Sequence, residues 1–159
     1  MTGARRPDGA IRIQPAEAAH AGIIARLSES GSTEPWPAPA VTRILGLPGC
    51  WGLLAVGPDR EPAGFLIARV AADEAEIVTL VVAEHARRKG IGRELLAAAI
   101  ENARRARASA LFLEVAADNP AGRALYESAG FREVGIRSDY YRRNAGDYID
   151  ALIMRRAIV

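Results

Sequence analysis

Cysteine is nearly absent from this 159-residue chain: Cys50 stands alone, so no internal disulfide can form and the fold must rest on its core. A chain of this length can do that, since it buries roughly two-thirds of its unfolded surface. Its unpaired state also fits a reducing cytoplasm, the expected location. Histidine is scarce too, and His20 and His85 lie far apart with no companions at metal-ligand spacing, so no metal site is expected. No apolar run approaches the roughly 20 residues that span a bilayer, and residues 1–9 lack the apolar core of a signal peptide. They read as a loose tail ahead of a single domain over residues 10–159. Aromatics make up only 6% of the chain, which draws attention to Trp36 between Pro35 and Pro37 and to the pair Tyr140-Tyr141. Alternation puts those two tyrosines on opposite strand faces; they and Trp36 either wall a groove or pack into the core.

What the chain has is arginine, unevenly placed. The net charge is only +2, yet Arg87, Arg88, Lys89, Arg93, Arg104, Arg105 and Arg107 crowd one region. Arg104, Arg105 and Arg107 read as a solvated helix face. Arg87 to Arg93 reads differently, because Arg-Arg-Lys-Gly-Ile-Gly-Arg follows an apolar strand and opens an amphipathic helix. Strand, basic glycine turn and helix together describe an anion cradle: the glycines let backbone N–H groups come close, and the helix start adds its positive dipole end. A dinucleotide fingerprint would need a third glycine where Leu95 stands, and a triphosphate loop would need Gly-Lys followed by Ser or Thr. Neither is present, which leaves a pyrophosphate ligand of another kind.

The remaining pattern gives an order βααβββαβαββ, a mixed sheet with helices on its faces. Strands are expected near 10–14, 50–56, 64–70, 75–82, 110–115, 131–141 and 148–154. Pro15-Ala16-Glu17 should open the first helix and Val41 to Leu47 a short second one. Asn119-Pro120 has the cap and first-turn residues of a helix that Gly130 ends.

Within Leu111-Phe112-Leu113-Glu114-Val115, alternation sets Glu114 and Phe112 on the face opposite the leucines. A carboxylate half-buried there would be pushed up by desolvation, as a general base requires; a strand-end glutamate reaching water is the equal alternative. Asn119 and Tyr126, seven apart, share a helix face ~10 Å apart along the axis. Asn119 is explained by capping alone, and Tyr126 by packing alone.

Taken together these pieces resemble the GCN5-related N-acetyltransferase (GNAT) superfamily. Arg87-x-x-Gly90-x-Gly92 is similar to its acetyl-CoA pyrophosphate motif. Leu113-Glu114-Val115, Asn119, Ala124-Leu125-Tyr126-Glu127, Gly130-Phe131, Tyr140-Tyr141 and Asp150-Ala151-Leu152-Ile153-Met154 more specifically resemble the bacterial RimI-type ribosomal-protein alanine N-acetyltransferases, and Pro35-Trp36 fits their substrate-side loop. The resemblance implies a GNAT fold, an α/β architecture with a mixed central sheet of six to seven strands and helices on both faces.

It implies roles as well. Leu80, Val81 and Val82 would hold acetyl-CoA through strand backbone; Arg87, Arg88, Lys89, Gly90, Ile91, Gly92 and Arg93 its pyrophosphate; Asn119 its arm. Glu114 would be the base and Tyr126 the acid, with Trp36, Tyr140 and Tyr141 on the substrate. The implied reaction is direct acetylation of a protein N terminus, the alanine of ribosomal protein bS18, in a cytoplasmic monomer or weak dimer with ribosomal RNA nearby and no membrane. Gly122-Arg123, Ser138 and Ile149 depart from the family pattern, the last two towards the peptide side. Two other readings are an acetyltransferase for small amines or lysine side chains, and a non-catalytic module binding CoA or RNA.

Overall fold

The computed structural model describes residues 10–31, 35–143 and 146–158; the expected tail, residues 1–9, lies outside them. Seven strands form one sheet in the order β1-β2-β3-β4-β5-β7-β6. They are β1 (Arg12–Ala16), β2 (Cys50–Val56), β3 (Pro62–Ala71), β4 (Glu74–Val82), β5 (Ala110–Ala116), β6 (Arg132–Arg142) and β7 (Tyr148–Ala157). Four α-helices accompany them: α1 (Ala21–Gly31), α2 (Ala38–Leu45), α3 (Ile91–Arg105) and α4 (Pro120–Ser128). The mixed sheet matches the expected fold class and order.

One local expectation fails. Pro15 and Ala16 close β1 instead of opening a helix, because β1 is an edge strand, where a missing N–H need cost no ladder bond. The helix start moves to a 3₁₀ turn at Ala18–His20, where the Glu17 N–H donates to His20 Nδ1 at 2.9 Å. Buried Ala21, Ile24 and Leu27 then recur at helical spacing and turn α1 towards the sheet.

Register separates the two faces. Gly64 and Val82 pair across β3 and β4, and both lie against the start of α3, near Ile91 and Gly92. Val81, one residue earlier and so on the opposite face, touches Gly31 at the end of α1. Thus α1 and α2 cover one side and α3 the other. α4 joins α3, since Leu125 packs beside Gly92 and Arg156, on the same face as Leu111, donates from Nε to the Ala129 carbonyl at 2.9 Å.

All pairings are antiparallel except β4 with β5. That parallel ladder covers only Glu74↔Ala110, Ala75↔Leu111 and Glu76↔Phe112, although both strands run on. Past Glu76 they diverge and leave a slot through the sheet. β4 also carries an extra residue there: Ile67 pairs Thr79 while Ala68 pairs Ile77, so Val78 bulges out.

The core runs beneath β3, whose Phe65, Leu66 and Ile67 are fully buried, with Leu95, Leu96 and Phe131 from the α3/α4 side. Replacing Phe65 by Ala should cost about 3–5 kcal/mol in urea denaturation through lost transfer energy and a residual cavity. A loss below about 1 kcal/mol would contradict this packing.

Candidate active site

A cleft of about 930 Å³ occupies the slot. Its walls are the β4 bulge (Val78, Thr79, Leu80), the end of β5 (Glu114 to Ala116), Asn119 and Tyr126 of the β5–α4 segment, Trp36 of the α1–α2 connection, and Tyr140 to Arg142 of β6 with Arg143 just after it. Trp36, Leu80, Glu114, Asn119, Tyr126, Tyr140 and Tyr141 therefore meet at one cleft, whereas Val81, Val82 and residues 87–93 are not among its walls. A second cavity, of about 870 Å³, lies between α1, the β2–β3 turn and residues 83–85, and contains none of them. His85 there pairs with Glu61 at 3.2 Å, and His20 is engaged by Glu17.

The basic turn lies between β4 and α3, the strand, turn and helix order its sequence predicts. Arg88 (φ 66°) and Gly90 (φ 78°) both adopt left-handed backbone just before α3. The Glu94 N–H closes the first helical bond to Gly90 O at 3.1 Å, so those of Ile91, Gly92 and Arg93 precede any intrahelical acceptor and can bind an anion. Gly92 has a second purpose: a Cβ there would stand 3.0 Å from Leu125 Cδ2, so glycine lets α4 close against α3. Arg87 is only half a cradle residue, because its Nε donates to Val82 O at 3.4 Å and its guanidinium folds back towards Gly31. Arg104, by contrast, pairs with Glu101 along α3, as a solvated helix face should.

Asn119 caps α4 as expected, its Oδ1 accepting from the Gly122 N–H at 2.9 Å. This use of Oδ1 leaves the Nδ2 donors for a ligand in the cleft. Tyr126 rises from α4 on the α3 side of the slot. Burial, reinforced by nearby Tyr141, pushes its hydroxyl up to about 12, so it is protonated throughout the neutral range.

Glu114 enters from the other face, as alternation predicts, with its side chain 18% exposed. The sequence did not reveal its partner. Arg137 Nη2 lies 3.2 Å from Glu114 Oε1, because Ala116 pairs Ala151 and Ala151 pairs Arg137, placing the arginine diagonally across the same face. The guanidinium engages one carboxylate oxygen only.

Three further devices hold the aromatic residues of the cleft. Ser28, fully buried on α1, accepts from the Trp36 N–H at 3.0 Å and donates to Ala25 O at 2.8 Å, which fixes the half-buried tryptophan. Arg143 binds both oxygens of Asp118, at 2.8 and 3.1 Å, and lies 5.6 Å from the Tyr141 ring centre. The hydrogen bond from Arg143 holds the Asp118 carboxyl below the usual range. Finally, Tyr140 and Tyr141 are not split between two faces: a bulge in β6 brings their rings together edge-on at 5.0 Å. Burial, then the charge of Glu114, raises the Tyr141 hydroxyl. Ser28 looks like any helix serine in the sequence, and the remote partners Arg137 and Asp118 leave no local signal.

A mixed sheet opened at its parallel pair, with a basic glycine turn leading into α3, is an architecture of the GNAT type. The model of the acetyltransferase (GNAT) family matches residues 23–131, and the chain belongs to that family. It is 42% identical over 92 residues to the [ribosomal protein bS18]-alanine N-acetyltransferase of Escherichia coli K12, a match covering 58% of this chain and 62% of that protein. It is 37% identical over 126 residues to the N-alpha-acetyltransferase RimI of Mycobacterium tuberculosis, covering 77% and 76%. The crystal structure of the ribosomal-protein-S18-alanine N-acetyltransferase from Escherichia coli superposes with a TM-score of 0.86 at 30% identity, covering 94% of each chain.

The raised Tyr126 pKa has a measurable sign. The folded value of about 12 exceeds the unfolded value of 10.0, so its stabilisation is complete below pH 10 and disappears as pH rises towards 12. Chemical denaturation across that window should show an alkaline loss that Tyr126→Phe reduces, the remainder coming from groups such as Tyr141 whose hydroxyl is also raised. An identical loss in both proteins would place the titrating group elsewhere.

Proposed function

We propose that this protein acetylates protein N termini, transferring the acetyl group of acetyl-CoA to the α-amine of an N-terminal alanine, with ribosomal protein bS18 as the substrate and the cytoplasm as its location. The observation that carries this reading is the slot itself, with a carboxylate entering from one face and a protonated phenol from the other. Relatives whose names state this activity support the acceptor.

The chain's residues fit the cofactor. Arg88, Lys89, Arg93 and the open N–H groups at the start of α3 would hold the diphosphate, and Asn119 Nδ2 with the backbone of Leu80 to Val82 would hold the arm. Bound there, acetyl-CoA supplies an activated thioester to the slot. The cradle and α4 lie on one side of the sheet, Trp36 and Tyr141 on the other, so the two substrates would enter from opposite faces and meet between β4 and β5.

An α-amine has a pKa of roughly 7.7–8.0, so much of it is protonated and non-nucleophilic at neutral pH. Glu114 removes that proton, directly or through water, as the amine nitrogen bonds to the acetyl carbon. Backbone N–H groups of the Leu80 to Val82 stretch steady the carbonyl oxygen. Tyr126 donates to the departing sulfur; with a pKa far above the roughly 8.5 of a thiol it stabilises the thiolate by hydrogen bonding before any proton passes. Cys50 has no part in this direct transfer.

Incubation with acetyl-CoA and the bS18 N-terminal peptide should acetylate its α-amine, and mass spectrometry should locate the group there. Modification only of lysine or of a small amine would replace this acceptor with the alternative one. Glu114→Gln should lower kcat/KM by ~10²-fold or more near neutrality, with a smaller deficit well above the α-amine pKa. A deficit that does not change with pH would remove Glu114 as the base.

A further inference from the structure

We propose that Asp150 is a positioning residue: its carboxylate holds a strained bulge in β6 and so shapes the acceptor side of the cleft. This rests on the N-terminal acetyltransferase reading.

Arg137 pairs with Ala151 and Tyr141 with Ile149, so three residues of β6, Ser138, Asp139 and Tyr140, stand opposite Asp150 alone. Asp139 takes φ 52°, left-handed backbone that a non-glycine residue keeps only when its surroundings enforce it. The enforcing contact is visible: the Asp139 N–H donates to Asp150 Oδ1 at 2.9 Å, across the strand pair. Without the bulge, the register set by Arg137↔Ala151 would put Asp139 opposite Ile149 and Tyr141 opposite Asp147, two positions further along β7 from Glu114.

The bulge therefore draws Tyr141 back to Ile149 and gathers three contacts around the base. The Tyr140 and Tyr141 rings meet at 5.0 Å, the Arg137 guanidinium lies 4.8 Å from the Tyr140 ring centre, and its Nη2 reaches Glu114 at 3.2 Å. All lie on the α1/α2 side with Trp36, away from the cradle. Asp150 acts on them through the backbone. Ser138 and Ile149, two of the positions that depart from the family pattern, are parts of this same bulge, which ties them to acceptor choice.

The full-length protein is assayed with an alanine-starting peptide and acetyl-CoA, as wild type, Asp150→Ala and Asp150→Asn. Alanine removes the acceptor, whereas asparagine keeps Oδ1. Asp150→Ala should raise the peptide KM about tenfold while the acetyl-CoA KM stays within about twofold, and Asp150→Asn should stay near wild type. An unchanged peptide KM in Asp150→Ala, equal damage to both KM values, or an Asp150→Asn as impaired as Asp150→Ala would overturn the proposal. Should Asp150→Ala fail to fold, amide exchange decides: in wild type and Asp150→Asn the Asp139 N–H should exchange at least about tenfold slower than in an unstructured peptide, and an unprotected N–H refutes the clamp. That measurement needs no substrate, so a wild-type protein that acetylates no peptide would sink the acceptor reading while exchange still judges Asp150.

Discussion

Everything at the site depends on β4 and β5 ceasing to pair. Two parallel strands that kept their ladder would close the sheet, and no ligand could pass between Leu80 and Glu114. Pairing stops at Glu76↔Phe112, and each strand is then held only by its outer neighbour, β4 by β3 and β5 by β7. The edges exposed inside the sheet are an opportunity: backbone groups normally consumed by a ladder become donors and acceptors for a bound molecule. The Val78 bulge adds to this by turning one more peptide unit out of register.

A slot through a sheet has two mouths, and the chain furnishes them differently. On the α4 side the slot is lined by Asn119 and Tyr126, and the basic turn before α3 lies beyond its walls. On the α1/α2 side the groups are aromatic rings held by polar struts: Ser28 under Trp36, Arg143 clasped by Asp118, Arg137 between Glu114 and Tyr140. Surface ion pairs of this kind contribute little to stability. Their effect is to fix side-chain direction at the mouth where an acceptor would be chosen.

Much of this is legible in the chain. The order of strands and helices, the Asn119-Pro120 start and Gly130 end of α4, and the left-handed glycine of the cradle all come from local rules, because capping and positive φ are properties of a few consecutive residues. The face of Glu114 is legible for the same reason, since strand alternation needs no partner. Pro15 misleads because a proline next to a helical pattern looks like a helix start, and only the position of β1 at the sheet edge makes it a strand residue. The two tyrosines mislead because alternation holds only until a bulge interrupts it.

By itself the sequence determined the class of fold and the strand, glycine turn and helix order of the cradle, since each is written in residue types at short, regular spacing; Glu114 and Tyr126 stood out only through the family resemblance. The tertiary structure alone decided that β4 and β5 part, that Arg137 answers Glu114, and that Asp150 sets the register of Tyr140 and Tyr141. Those facts concern pairing between segments distant along the chain, and pairing is settled by the free energy of the whole sheet, where one strand's bulge has meaning only against the strand beside it.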